Sequence, residues 1–348
     1  MPELTVIIPT RDRCPVLCET LAGLERQSGS ARFEVKVVDD GSCADTREAV
    51  GEFAARGAID IELMEQSGCG PAAARNRALS VARAPVCVFL NDDTWPREDL
   101  LARHRDFHAS NPEPEAALLG AMVLPPNRAA TPFMHWALEQ SFDYAGIEDC
   151  QSAGGGRFFT ANVSAKTCLL RDVGGFDETF LAAAFEDLDL GLRLEQRGMR
   201  LAYDPRAIVE HFHPTDLTSM TERLRNAGTW FASFRARHRE WPEPRRPGFR
   251  HRVKAAALTF LAPVSRPRLK REIWRFLCHE ALREGYWNTI EGRRDAHGES
   301  ANTLRIGNRL AGIARRDEDA TMPASPSAIR GRTAAGRREH PTSASFSN

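Results

Sequence analysis

Ala84-Pro85-Val86-Cys87-Val88-Phe89-Leu90-Asn91-Asp92-Asp93 is the stretch whose reading decides the fold. Its apolar part is short and unbroken, the pattern of a parallel strand buried on both faces. It stops at Asn91-Asp92-Asp93, just ahead of Thr94-Trp95-Pro96. In open α/β sheets, ligands gather beyond the carboxyl ends of such strands. Adjacent carboxylates at that place suit a hard divalent cation, since Mg²⁺ is typically held by one or two carboxylates together with substrate phosphates. Read alone, the same tripeptide is also an ordinary acidic turn before Pro96.

Working outward, the preceding chain alternates strand and helix with short connections. Leu4 to Pro9, Phe33 to Val38 and Ile59 to Met64 read as strands. Cys14 to Gln27, Asp45 to Arg56 and Pro71 to Arg83 carry helical signals, with Asp45 as an N-cap and Pro71 in a first turn. This alternation predicts a parallel sheet with right-handed crossovers. Downstream, helices are expected over 100–109, 128–144 and 186–196, the last ended by Gly198. Strands are expected over 116–123, 201–203 and 207–210, and strand and turn over 158–170. Gly154-Gly155-Gly156 reads as a mobile loop. From Leu217 the character changes: 220–239, 247–261 and 269–284 read as basic, partly amphipathic helices. After Arg316 the chain is rich in Ser, Ala, Pro, Gly and Arg without a hydrophobic period, and disorder is expected. The expected division is a first domain at 1–216, a basic helical extension at 217–316 and a tail at 317–348.

Composition narrows the class. The 348 residues carry 47 Lys+Arg and 47 Asp+Glu, a formal net charge of 0. That balance hides an asymmetry. Through Glu222 there are 21 Lys+Arg against 35 Asp+Glu, and from Arg223 to Arg316 there are 22 against 8. An acidic half joined to a basic half suggests two functional regions, the second with an anionic partner. The 8 cysteines include no CxxC pair, which argues against a zinc site or a redox motif. The chain enters its first strand without a basic and then apolar leader, an expectation of a reduced, cytoplasmic protein. No apolar stretch approaches the roughly 20 residues that span a bilayer.

Several further motifs fall at strand ends. Pro9-Thr10-Arg11 follows the first strand and Asp39-Asp40-Gly41-Ser42 the second, while Gly68-Cys69-Gly70-Pro71 opens the helix carrying Arg75 and Asn76. Together they offer acceptors, guanidinium donors and backbone N–H groups along one rim, which suits a nucleotide with a diphosphate.

At this point the chain resembles glycosyltransferase family 2. The resemblance rests on Thr5-Val6-Ile7-Ile8-Pro9-Thr10, Val37-Val38-Asp39-Asp40-Gly41-Ser42, Gly70-Pro71-Ala72-Ala73-Ala74-Arg75-Asn76 and Phe89-Leu90-Asn91-Asp92-Asp93. Val173-Gly174-Gly175-Phe176-Asp177-Glu178 and Glu186-Asp187-Leu188-Asp189-Leu190 continue it, so that it covers about Met1 to Asp216. It implies an α/β, Rossmann-like GT-A domain followed by the helical extension. It also implies inverting transfer of a sugar from a nucleoside diphosphate sugar to a hydroxyl acceptor, with Mg²⁺ or Mn²⁺, in cell-surface glycan or glycoconjugate synthesis.

Carried over motif by motif, the resemblance implies that Asp39 binds the donor's base, with Pro9 and Thr10 near the ring. Arg11 and Arg75 would lie near the nucleotide. Asp93 would hold the metal, and Asp92 would face the ribose or the metal's water. Asn91 stands where the family often has a third acid, leaving a neutral side chain that can still hydrogen-bond a sugar hydroxyl. Asp187 would be the catalytic base, because an attacking alcohol needs a carboxylate within hydrogen-bond reach to take its proton. In His211-Phe212-His213, alternation points both imidazoles to one side. His211 is the first choice as the metal's further ligand and His213 the second.

Glu186, Gly155 and Trp136 are expected around the acceptor, which is a glycan, a lipid-linked molecule or a small molecule. The basic helices pair cations with the apolar segment 255–264, which suits an anionic membrane surface and a peripheral location at the inner face of the membrane. No nucleic-acid partner is expected. A sugar nucleotidyltransferase would open with a glycine-rich phosphate loop, where this chain has Pro9-Thr10-Arg11-Asp12-Arg13. A catalytically silent nucleotide-sugar-binding protein is the alternative that keeps the fold, favoured by Asn91 and opposed by Asp93 and Asp187.

Overall fold

The computed structural model describes residues 1–292 apart from Ser30, Cys43, Ala44 and Pro263. The expected tail at 317–348, and the extension beyond 292, lie outside the described residues. The first part of the chain is the expected alternation: β1 (Leu4–Thr10), α1 (Cys14–Glu25), β2 (Phe33–Asp39), α2 (Asp45–Arg56), β3 (Asp60–Glu65), α3 (Gly70–Val81) and β4 (Val86–Leu90). These strands pair in parallel, β3 on β2, β2 on β1 and β1 on β4. Their apolar residues divide by the period of two. Val6, Ile8, Val37 and Val88 pack with Leu17 and Leu21 of α1. Ile7, Val38, Cys87 and Phe89 pack on the opposite face with Ala72, Ala74 and Ala78 of α3. Alanines on its buried face let α3 lie close to the sheet. The exposed edge, β3, carries Asp60, Glu62 and Glu65, charges that discourage edge pairing.

The second part completes a mixed sheet. It contains β5 (Thr94–Pro96), α4 (Leu100–Ser110), β6 (Ala116–Val123), α5 (Pro132–Phe142), β7 (Asn162–Lys166), α6 (Thr167–Asp172), α7 (Glu186–Gln196) and β8 (Arg200–His211). The strand order is β3-β2-β1-β4-β7-β6-β8-β5. The strand β7 is antiparallel to both β4 and β6, β8 is parallel to β6, and β5 is antiparallel to β8. The sheet order turns back at β1, which lies between β2 and β4, so a crevice opens at the carboxyl ends of β1 and β4. Helix α7 sends Leu190 and Leu194 into the same core as α3, which sets both helices on one face.

Three local expectations are corrected. The two short strands over 201–210 are one strand, β8, whose pairing with β6 shifts register between Gly120 and Ala121. The Asn162 side chain fills that irregularity, donating to the carbonyls of Ala121 and Ala207 at 3.0 and 2.9 Å. The segment expected as strand and turn ends in the short helix α6. The glycine-rich loop is pinned: Gly155 to Arg157 form a 3₁₀ turn, and a side chain at Gly155 would meet the Gly191 carbonyl at 2.4 Å. Glycine is required there because two backbones touch.

The last part is a helical layer of α8 (Leu217–Arg237), α9 (Phe249–Leu261) and α10 (Pro267–Ile290). Asp216 caps α8, accepting from the Ser219 backbone N–H at 2.8 Å. Helices α8 and α10 approach through Gly285, where a Cβ would lie 1.8 Å from the Arg225 carbonyl. The layer holds the mixed sheet domain through two clusters. Phe231, Phe234 and Trp241 pack with Phe180 and Leu188, and Trp274 packs with Phe133 and Trp136 of α5. Among the described residues no helix is long and apolar enough to cross a membrane.

Candidate active site

Four strand and helix ends converge on the crevice between β1 and β4. Thr10, the last residue of β1, donates its hydroxyl to Asp92 Oδ2 at 2.9 Å. Thr20 of α1 donates to the Asp92 carbonyl at 2.7 Å, and Thr94 donates to the Asn91 carbonyl at 2.8 Å. The Asn91-Asp92-Asp93 turn is thus fixed from both sides. The pairing of β5 with β8 sets His211 opposite Thr94, and this register brings the imidazole to the acids. His211 Nε2 lies 3.3 Å and His213 Nδ1 4.0 Å from Asp93 Oδ2. The two rings lie nearly parallel with centroids 6.2 Å apart.

Arg13, which precedes α1, is the residue that sequence reasoning left without a role. Its guanidinium donates to Asp93 Oδ2 and lies 3.3 Å from Asp92 Oδ1. The signal was its place at the exit of β1, three residues after Thr10. Burial alone would raise both carboxyls. For Asp93 the opposing His211 and Arg13 win and hold it well below the usual range. For Asp92 burial and the neighbouring Asp93 charge prevail, and it is pushed up to about 6.

The metal question turns on this corner. Asp93 Oδ1 is buried without a hydrogen-bond partner. A carboxylate oxygen left in that state, with Arg13 and His211 on the other oxygen, leaves a lone-pair site that a divalent cation would take. Among the described residues no three His, Cys, Asp or Glu side chains gather tightly enough to enclose an ion alone. Such a donor set leaves positions for substrate phosphate oxygens.

The second acidic pair opens α7. Glu186 is buried, and Arg75 of α3 donates to it at 3.0 Å from Nη1. The same guanidinium donates from Nη2 to Asn91 Oδ1 at 3.2 Å. Arg75 therefore ties the turn after β4 to the start of α7 rather than standing open toward a nucleotide. Arg11 is exposed at the rim, 3.9 Å from Asp40. Burial pushes Glu186 up to about 7, with Asp187 adding to the rise and Arg75 opposing it. Asp187 is raised as well, again by burial and against Arg75. Its Oδ1 accepts the Leu188 backbone N–H at 2.8 Å.

Asp187 is aimed by the residues on either side of its helix start. Phe185 precedes the pair with φ at 71°, left-handed backbone that a bulky residue adopts only when its surroundings impose it. Its ring packs against Phe231 and Phe234 of α8, at centroid distances of 5.2 and 5.4 Å. Asp189, one turn further, accepts from buried His238 at 2.9 Å and from Arg193 at 2.8 Å. The helical layer thus grips the first turn of α7 twice.

The other expected positions are distributed around this centre. Asp39 Oδ1 accepts the Ser42 N–H at 2.8 Å at the end of β2, beside Pro9 and Thr10 in register. Asp40 receives the backbone N–H groups of Cys69 and Gly70 at 2.7 and 2.9 Å, shaping the turn into α3. Gly70 has φ at +86°, and a Cβ there would lie 2.5 Å from the Leu181 carbonyl. Asn76 holds the 173–178 loop, accepting from the Phe176 N–H at 2.8 Å and donating to its carbonyl at 2.8 Å. Gly155 is buried against α7 at Gly191 and Glu195, further along the helix than the pair. Trp136 is 2 % exposed and packs on Phe133 and Trp274, so most of its ring surface is already covered.

The comparisons with known proteins bear on the family and the fold. The model of glycosyl transferase family 2 matches residues 5–114, and that of glycosyl transferase family group 2 matches residues 86–269. The pre-mycofactocin glycosyltransferase of Mycobacterium tuberculosis is 32% identical over 253 residues, covering 70% of this chain and 49% of its own length. Validoxylamine A glucosyltransferase of Streptomyces hygroscopicus is 29% identical over 249 residues, covering 63% of this chain and 59% of that protein. The chain thus spans about half the length of the curated relatives it matches. Among solved structures, a mannosyltransferase of Pyrobaculum calidifontis in complex with GDP-Man and Mn²⁺ has a TM-score of 0.53 at 20% identity, over 90% of this chain and 81% of the other. TarS of S. aureus in complex with UDP has a TM-score of 0.50 at 18% identity, over 87% and 95%. These last two likenesses concern the fold.

Proposed function

The chain belongs to glycosyl transferase family 2, and from that premise we propose that it is an inverting, divalent-metal-dependent transferase that moves a sugar from a nucleoside diphosphate sugar to a hydroxyl acceptor. The observation that carries the proposal is Arg75, whose one guanidinium holds both Asn91 and Glu186 and so gathers the two acidic pairs into one cleft. The donor's base lies over the β1–β2 end, near Pro9, Thr10 and Asp39, with Arg11 at the rim. The diphosphate lies toward Asp93, His211 and His213, the residues that would hold Mg²⁺ or Mn²⁺. When bound, that ion neutralises the charge that builds on the leaving diphosphate. Asp187 accepts the acceptor's proton as its oxygen bonds to the anomeric carbon and the bond from that carbon to the diphosphate breaks. Attack from the face opposite the diphosphate inverts the centre.

In this reading residues 1–216 carry the chemistry, and the basic helices from 217 onward hold α7 and meet an anionic membrane surface. Support for the second role is α9, which exposes Phe249 and Phe260 at 82% and 84%, with exposed Arg250, Lys254, Arg266 and Arg268 around them. That surface suits a cytoplasmic, peripheral enzyme of cell-surface glycan or glycoconjugate synthesis.

Calorimetry with UDP-, GDP- and dTDP-sugars in excess Mn²⁺ tests the site. Asp93→Asn is expected to weaken metal-dependent donor binding by about 10-fold or more, at least the loss that follows removal of a metal ligand's outer partner. Unchanged affinity removes the metal assignment. For the membrane, sedimentation with anionic liposomes is expected to show binding that fades with added salt. Binding that ignores salt, or none, removes that role.

A further inference from the structure

A cleft of about 270 Å³ lies between α5, α8 and α10, and Phe185 forms part of its wall. Phe185 precedes the proposed base by two residues, so this wall of the cleft is continuous with the start of α7. Its other walls are mostly apolar, among them Trp136, Leu224, Phe231 and Trp241. Polar side chains enter as Gln140, Arg275 and His279. Trp136 also carries a buried indole N–H without a hydrogen-bond partner. Protein interiors rarely leave voids larger than a water molecule between large side chains. Mostly apolar concavities with a few polar groups, next to carboxyls of perturbed acidity, are the usual form of small-molecule sites.

We propose that this cleft binds an apolar body of the acceptor, aromatic or aliphatic, while the acceptor's hydroxyl reaches Asp187. The inference rests on the transferase reading and narrows its acceptor. A glycan pressed into these walls leaves hydroxyls without partners, which burial penalises. An alkyl or aryl group gains by leaving water. The contact of Phe231 with Phe185 joins the cleft to the start of α7.

The test uses the full chain with methyl, hexyl and octyl β-glucoside, probes that share a polar head and differ only in apolar length. Binding is followed by tryptophan fluorescence, since Trp136 and Trp241 line the cleft. Affinity is expected to rise up to about fourfold per added methylene until the cleft is filled. Ala227→Trp, which plugs the cleft, is expected to erase the gain from methyl to octyl, with its melting curve checked beside the wild type. Equal affinity for methyl and octyl probes in the wild type, or an undiminished gain in the plugged variant, means a packing void only and overturns the proposal. The wild-type series needs no variant to fold.

Two transfer arms then separate the sources of the apolar body. Transfer to 4-nitrophenyl β-glucoside assigns a soluble acceptor, and transfer only to a polyprenyl diphosphate-linked sugar in vesicles, through a sugar hydroxyl, assigns a lipid-linked one. Donor hydrolysis is read separately. A protein that discriminates the probes by length yet hydrolyses no donor retains the cleft and loses the transferase reading.

Discussion

Asp92–Asp93 follows a parallel strand and meets cations; Glu186–Asp187 begins a helix and faces one guanidinium, bonded through Glu186. Both pairs are adjacent carboxyls at the rim of the same crevice, and both are largely buried. Arg13 and His211 face Asp93, which is held ionised far below the usual range. Against the penalty of burial Glu186 and Asp187 have one cation, Arg75, and a few backbone N–H groups, and both are raised. The difference teaches how two similar dipeptides divide a reaction. A carboxylate kept charged by neighbouring cations suits an ion and a diphosphate, while one that binds a proton more readily suits an attacking hydroxyl.

The largest expected effect separates the pairs outright. Asp187→Asn is expected to lower turnover by about 10²- to 10⁴-fold, the range for a lost general base, and to leave donor affinity unchanged. The substitution keeps shape and removes the proton acceptor. Measured by single-turnover transfer alongside donor calorimetry, an equal loss in both would make Asp187 a donor-binding residue and erase the contrast with Asp93.

The next effect concerns Arg75, which is 3 % exposed against a Glu186 equally enclosed. Arg75→Met leaves that acid without its partner, and breaking a buried pair in this way costs about 3–5 kcal/mol. The loss should depend on pH with a definite sign. Glu186 binds its proton near 7 in the folded chain against an ordinary 4.5. Between those values the folded state holds more protons than the unfolded one, so stability from this group falls as pH rises. Asp93 has the opposite sign, since its depressed value makes it stabilising at neutral pH and weaker only in strong acid. Thermal melts of the variant are therefore expected to show a larger deficit at pH 8 than at pH 5. Turnover falls as pH drops through the raised value of Asp187, and that acid limb should move higher in the variant, because Arg75 favours the ionised form. A deficit independent of pH would show that Arg75 acts through packing, for instance on the Phe176 ring 5.5 Å away.

The parallel half of the sheet was legible because its strands are continuous apolar runs and its turns end in acids, so each motif announces its own strand end. The mixed half was harder. The strand β8 contains exposed Pro205 and Arg206 and a register shift, and periodicity breaks there into two pieces. The glycine run at 154–156 looks like a flexible loop until Gly191 comes against it from residues 35 and more along the chain. Among site residues, Asp93, His211 and Glu186 were named from their motifs, and the structure shows what each one touches. Arg13 escaped because its partners are 79 and 80 positions away. Phe185 escaped for the same reason: its left-handed backbone is imposed by α8, and nothing in its neighbours announces it.

The smallest expected effect decides to which pair Asn91 belongs. By sequence it is part of Asn91-Asp92-Asp93, and a third acid there would suggest a stronger metal site. By contact it belongs to the other pair, since its Oδ1 accepts from Arg75 Nη2. Asn91→Asp adds a charge that competes with Glu186 and Asp187 for that guanidinium. Arg75 then favours their ionised forms less, and the acid limb of turnover is expected to move up by about half a pH unit, on the scale of a partly screened neighbour. Mn²⁺ affinity should change by less than about threefold, because the new charge is held on Arg75 rather than turned to the metal corner. A tenfold tightening of Mn²⁺ with an unmoved pH profile would place the side chain with Asp93 and redraw the boundary between the two pairs.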